Sequence, residues 1–257
     1  MVYKNFNLLG VFILLVIAFS GHAKATPVVL QPPQQTTSFG GPPQVLNEFT
    51  SRKVISNLDF PYEIIYGPDN HIWATERTGK RIIRINPGNS EKKTLITIEE
   101  VFQTAGQDGL LGLALHPHFL QGTGEDYVYT AYTYDSGNGR QLKIRRYTYN
   151  AEGQTLHSPL DLITGLSASN DHNSGRLIIS EDNKIYYSIG DQGANQFSNK
   201  CTTIEAQRLP TQSEINNKNW DSYKGKILRI NLDGSMPSDN PILNGVQSHI
   251  FSYGHRN

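Results

Sequence analysis

Five groups of residues in this chain have the types and spacing that chemistry needs. Asp171 and His172 open the segment Asp-His-Asn-Ser-Gly-Arg-Leu, which leads into a strand expected from Leu177. A carboxylate beside an imidazole on a loop at a sheet edge suits proton transfer near neutral pH. The plainer reading is a surface histidine after a loop aspartate. Gln107 lies in the glycine-rich stretch Thr104–Gly112, where glycines let the backbone bend and a ligand approach closely. Its amide offers both a donor and an acceptor, which suits a sugar hydroxyl, and the alternative is a structural turn. No Gly-Lys-Ser/Thr follows this stretch, and it lacks the strand–helix setting of a dinucleotide fingerprint. Asp191–Gln196 ends another expected strand with polar amides, but its oxygen spacing is not diagnostic of calcium. Arg256 and Asn257 form the fourth group. An arginine there could polarise a carbonyl or hold an anion, or simply be solvated. His116-Pro117-His118 has two metal-type ligands and no third evident in the sequence.

These groups must be held by a β scaffold. Ile64–Thr75 and Leu177–Ser188 share a pattern of strand, tight turn and strand, followed by Gly79–Asn86 and Gly225–Asn231 respectively. A looser middle copy runs through Leu113–Pro117, Tyr127–Thr130 and Ile144–Tyr147. Pro68-Asp69-Asn70 suits a turn, because proline presets φ and asparagine tolerates the left-handed region. A repeat of roughly 50–60 residues built from about four short strands is the signature of a propeller blade, with an antiparallel sandwich as the alternative. The expected fold is therefore all-β, an incomplete propeller of about three blades plus a strand at Val246–Tyr253. Residues 191–224 interrupt the third copy with a polar insertion. Within it, Thr211-Gln212-Ser213-Glu214 resembles helix-capping chemistry.

The N-terminus reads as a secretory signal over 1–25. Lys4 precedes the apolar run Leu8–Phe19, and Ala23-Lys24-Ala25 fits a cleavage site near Ala25. The run is too short for a comfortable span of about 20 residues, and no later segment could cross a bilayer. Residues 26–50, rich in Pro and Gln, read as a flexible lead, and 51–257 is expected to be the structured part. The expected location is periplasmic or secreted. Among 257 residues, 23 Lys+Arg balance 23 Asp+Glu, so charge gives no support for a nucleic-acid partner. Cys201 is the sole cysteine. It excludes an internal disulfide, and it reads as an incidental loop residue.

Several separated motifs agree in order with one family. Gly-Gln-Asp-Gly-Leu-Leu-Gly-Leu-Ala-Leu-His-Pro at 106–117, Asp-His-Asn-Ser-Gly-Arg-Leu at 171–177 and Gly-Asp-Gln-Gly at 190–193 are followed by Gly-Lys-Ile-Leu-Arg-Ile-Asn-Leu-Asp-Gly-Ser at 225–235 and Gly-His-Arg-Asn at 254–257. Together they resemble the soluble quinoprotein glucose dehydrogenases of the glucose/sorbosone (aldose sugar) dehydrogenase group, from about Val54 onward. The resemblance implies a six-bladed propeller that binds pyrroloquinoline quinone (PQQ) and calcium and oxidises an aldose to its lactone in the periplasm. By the same resemblance, His172 is the general base and Asp171 the neighbour that orients it. Gln107 and Gln196 contact the sugar, with Phe197 as an apolar wall. Arg256 sits at the reactive quinone carbonyl, and Asn257 contacts the cofactor. A homodimer and a separate electron acceptor, not identified by the residues, are also implied.

The family continues beyond Gly-His-Arg-Asn, and the segments supplying most calcium ligands lie there, so no metal ligand is expected in this chain. A chain ending at Asn257 is expected to bind cofactor poorly and to be inactive alone. The alternative to an enzyme is a secreted propeller that serves as a non-catalytic binding module.

Overall fold

The computed structural model describes residues 50–257. The signal segment at 1–25 and all but the last residue of the lead lie outside the described residues. Regular structure in the rest is almost entirely strand, arranged chiefly as three consecutive four-stranded antiparallel sheets. The first comprises β1 (Pro61–Tyr66), β2 (Ile72–Glu76), β3 (Arg81–Ile85) and β4 (Lys92–Thr97). The second comprises β5 (Leu110–Leu115), β6 (Tyr127–Asp135), β7 (Arg140–Asn150) and β8 (Thr155–Ser167). The third is ordered β14-β11-β10-β9, from β9 (Leu177–Ile179), β10 (Lys184–Ile189), β11 (Lys226–Asn231) and β14 (Ile250–Tyr253). A small ribbon of β12 (Ile242–Leu243) and β13 (Val246–Gln247) sits between β11 and β14. The single strand expected over Val246–Tyr253 is thus two elements, and the second completes the third sheet instead of starting a fourth.

The sheets stack face to face as propeller blades do. β1 lies beside β5 and β5 beside β9, so the first strand of each blade is innermost. β6 shows why the order is stable. Val128 and Tyr132 point into an apolar cluster with Trp73, Ile82 and Leu110 of the first interface. Tyr129 and Ala131, on the opposite face, join Ile144, Leu177, Ile185 and Leu228. Successive side chains of a strand alternate between faces, and both faces of β6 are buried, so apolar and aromatic residues stand on both.

The hairpin turns repeat as the sequence suggests. Gly67 N donates to His71 O at 2.8 Å, with Asn70 left-handed at φ 57°. Ser180 N donates to Lys184 O at 3.0 Å, with Asn183 at φ 56°. The insertion is ordered around two short 3-10 turns and one short helix, α1 (Gln212–Asn216). The helix carries the capping box read from the sequence: Thr211 Oγ1 accepts from Glu214 N at 3.2 Å, and Glu214 Oε2 accepts from Thr211 N at 2.8 Å.

Candidate active site

The chain leaves the last strand of each blade through a loop, and these three segments meet at one end of the blades. Phe102–Gly109 follows β4, Ala168–Arg176 follows β8, and Gly254–Asn257 follows β14. They carry Gln107, His172, and Arg256 with Asn257. The end of β10 brings Asp191 to the same place, and the insertion brings Gln196. Residues far apart in sequence therefore converge because the crossovers are equivalent positions in successive blades.

His172 is held from both backbone and ring. Its φ of 43° is left-handed, which costs a non-glycine residue on the order of 1 kcal/mol. Its N–H is fixed by Asp171 Oδ1 at 2.9 Å and Gln107 Oε1 at 3.2 Å. Ring Nδ1 donates to Asp191 Oδ1 at 2.8 Å. Asp191 is 2% exposed and also accepts from Gly193 N at 3.0 Å and from Arg256 Nη1 at 2.6 Å. A carboxylate on Nδ1 keeps the proton there and leaves Nε2 with its lone pair free to accept. Gln196 Nε2 donates to that lone pair at 3.1 Å and to Asp171 Oδ2 at 2.6 Å, while Gln196 Oε1 accepts from Arg256 Nη2 at 2.6 Å. His172, Asp171, Asp191, Gln196 and Arg256 are thus joined in one continuous hydrogen-bonded network.

This places the orienting role differently from the sequence expectation. Asp171 was expected to orient the ring, but its carboxylate lies 3.9 Å from Nε2 and bonds to the backbone of His172 and to Gln196. The carboxylate on the ring is Asp191. Phe197 is brought near by Gln196 but faces solvent, 84% exposed at the start of a 3-10 turn, and makes no apolar wall here. Cys201 is exposed and apart from the network.

Asn257 closes the other side. Its Oδ1 accepts from Ser174 N at 3.0 Å and Ser174 Oγ at 3.1 Å, and its Nδ2 reaches Gln107 Oε1 at 3.5 Å. Tyr62 donates to Ser174 O. Tyr62, Arg77, Gly106, Gln107, Ser174 and Asn257 border an open basin of about 250 Å³. Three supports were missed in the sequence. Arg77 Nη1 donates to the carbonyls of Gly106 and of Asp108, the latter at 2.8 Å, and so clamps both sides of Gln107. Asp108 is fully buried and holds Thr104 N at 2.8 Å. Asn173, also fully buried, ties Ser169 O at 2.8 Å to Gln107 O at 3.2 Å. Asn173 and Asp108 stand inside quoted motifs, beside the residues that were singled out, and that adjacency was the available signal.

Gly190 and Gly193 are among the glycines that the site requires. At Gly190 a Cβ would collide with the carbonyl of His172. Gly193, at φ +69°, would bring a Cβ within 2.6 Å of Asp171 Oδ2.

The His116-Pro117-His118 pair gains a third neighbour, Glu125, with ligand atoms within 4.8 Å of one another. His118 Nδ1 bonds Glu125 Oε2 at 2.7 Å. However, His116 Nδ1 accepts the His118 amide at 3.1 Å, which puts the His116 proton on Nε2, the nitrogen facing Glu125 at 3.9 Å. As placed, the group is a hydrogen-bonded cluster with no lone pair on His116 for a cation.

Comparison with known proteins follows the same lines. Residues 58–257 match the model of the Glucose / Sorbosone dehydrogenase family. The chain belongs to that family. It is 48% identical over 216 residues to quinoprotein glucose dehydrogenase B of Acinetobacter calcoaceticus, a match covering 81% of this chain and 45% of the relative. It is 26% identical to aldose sugar dehydrogenase YliI of Escherichia coli, over 78% of this chain and 49% of the relative. Among solved structures, the PQQ-bound aldose sugar dehydrogenase of Streptomyces coelicolor superposes with a TM-score of 0.62 at 27% identity, covering 80% of this chain and 54% of that one. The chain thus spans about half the length of the family members it matches. Among the described residues no helix is long and apolar enough to cross a membrane.

Proposed function

We propose that this chain carries the proton-abstracting side of a quinoprotein sugar dehydrogenase, which oxidises an aldose to its lactone. What supports this most is the His172 ring: buried Asp191 holds Nδ1, and Nε2 presents its lone pair toward the amide of Gln196. A histidine so fixed can take the proton from an anomeric hydroxyl that displaces the amide. The negative charge of Asp191 then stabilises the imidazolium, and Gln107 and Gln196 hold neighbouring sugar hydroxyls through their paired donor and acceptor atoms.

The residues present fit one edge of pyrroloquinoline quinone. Arg256, 48% exposed on its side chain, and the amide of Asn257, which borders the basin, offer donors, as carbonyl oxygens of a quinone require. When bound, the quinone supplies a two-electron acceptor for the hydride released as His172 takes the proton. Arg256 would hold the carbonyl where negative charge develops. Asp171 acts on the base indirectly, by fixing the His172 backbone and Gln196. Calcium accompanies the quinone in this proposal, but Asp171 and Asp191 are committed to His172, Gln196 and Arg256 and do not fit a calcium site. No step is assigned to the ion, and its ligands are placed elsewhere in the whole protein. A six-bladed ring, cleavage near Ala25, a periplasmic location and a homodimer belong to the same proposal.

Titration of the full-length protein with pyrroloquinoline quinone, followed by dye-linked oxidation of aldoses, tests the reading. Saturable binding and sugar-dependent dye reduction are expected. Absence of saturable binding would favour the non-catalytic propeller.

A further inference from the structure

Lys226 opens β11 and is fully buried. A buried ammonium is costly unless all its protons are bonded. No carboxylate among the described residues pairs with it. Instead Nζ donates to three backbone carbonyls: Glu205 O at 3.0 Å, Ala206 O at 2.8 Å and Lys224 O at 2.8 Å. These use the three donors of the ammonium completely. The nearby charged side chains are taken up with one another: Arg208 pairs with Glu205 and Glu214, and Lys224 with Asp221.

The carbonyls belong to the return of the 191–224 insertion, outside any sheet; Glu205 O also accepts from Arg208 N at 3.0 Å. The same segment backs the site. Ala206 O also accepts from Gly254 N at 2.9 Å, and Gly225 O accepts from His255 N at 3.1 Å. Lys226 is paired across the sheet with Tyr253, three residues before Arg256. Gly225 N donates to Gly190 O at 2.9 Å, and Asp191 N to Arg256 O at 2.7 Å. The ammonium therefore stands where the insertion bearing Gln196 and the crossover bearing Arg256 are joined.

We propose that Lys226 is a positioning residue, a pin that fixes the insertion against the Arg256 crossover and so sets where Gln196 and Arg256 stand over His172. Its catalytic consequence rests on the function proposed above, whereas its structural consequence does not.

Cys201 makes the test direct, because it is the only cysteine and lies in the insertion. A nitroxide attached there reports local motion by electron paramagnetic resonance. In folded Lys226→Met, which keeps chain length but removes the donors, a fast-motion component should appear. Lys226→Arg, which keeps charged donors, should restore most of the slow spectrum. In the full-length, quinone-loaded protein, Lys226→Met should lower kcat/KM by roughly 10- to 100-fold, the scale of a misplacement of about 1 Å, and Lys226→Arg should recover most of it. A Met variant whose nitroxide spectrum matches the parent overturns the proposal. Should that variant fail to fold, ¹⁵N-lysine labelling decides: the parent should show a protected, slowly exchanging ammonium resonance that disappears in Lys226→Arg, and its absence from the parent, or its persistence in Lys226→Arg (Lys143 is also buried and paired), refutes the pin. Failure of quinone binding in the parent would overturn the enzymatic reading and leave the nitroxide and ammonium results standing.

Discussion

Asp191→Asn isolates the carboxylate that holds the His172 ring. Asp191 accepts three hydrogen bonds, from His172 Nδ1 at 2.8 Å, Gly193 N at 3.0 Å and Arg256 Nη1 at 2.6 Å. An asparagine keeps one oxygen and replaces the other with a donor. Whichever way the amide turns, its NH₂ faces either the ring and the Gly193 amide or the Arg256 guanidinium, so a donor meets a donor. The ring can escape by moving its proton to Nε2, the atom needed as acceptor. The comparable change in the serine-protease triad lowers kcat by about 10⁴, and general-base catalysis as a whole contributes about 10²–10⁴. A kcat decrease of about 10²- to 10⁴-fold is therefore expected, with little change in KM, because Asp191 faces His172 and Arg256, not the basin. Losing charge-assisted bonds to a buried carboxylate should also cost about 1.5–3 kcal/mol of stability. Steady-state dye reduction by the quinone-loaded full-length protein, with ¹⁵N-histidine spectra of the ring tautomer, reads both effects. A kcat within about threefold of the parent, with the proton still on Nδ1, would refute the reasoning; for comparison, the expected loss is at least ~100-fold.

Two stability predictions accompany it. Burial of His249 pushes its pKa down to about 4, from about 6.5 in the unfolded chain. Its contribution is present above pH ~6.5 and is lost as pH falls toward 4, because the unfolded chain binds the proton first; the total is on the order of 3 kcal/mol. Urea midpoints across that range should slope less in His249→Asn, and an unchanged slope would contradict the assignment. Gly193→Ala adds a Cβ within 2.6 Å of Asp171 Oδ2 at φ +69°. It should cost more than Gly137→Ala, where φ is +82° but nothing lies within 4 Å. The excess, read as a difference in Tm, should correspond to at least ~1 kcal/mol.

The blades were legible because their signals are local. Pro68-Asp69-Asn70 and Asp182-Asn183 declare their turns by residue type, and the flanking β-branched runs declare strands. The site loops were legible for the same reason, since each motif is a contiguous crossover. What joins them was not. His172 and Asp191 lie at opposite ends of the β9–β10 hairpin, and only its antiparallel pairing returns the chain to the same edge. Adjacency in sequence favoured Asp171, but the left-handed turn at His172 sends that carboxylate back to the histidine's own amide. Phe197 misled likewise, because a neighbour of Gln196 in sequence turns outward in a 3-10 turn. The Val246–Tyr253 strand shows the same limit: apolar content marks it as β, but which sheet it completes depends on pairing with β11.

The central claim is that His172 is the base. Turnover of His172→Gln in the full-length, quinone-loaded protein, with quinone and sugar affinities measured alongside, tests it most directly. The account predicts that kcat falls by about 10²- to 10⁴-fold while quinone affinity stays within a few-fold of the parent. Near-parental turnover with quinone bound would contradict it.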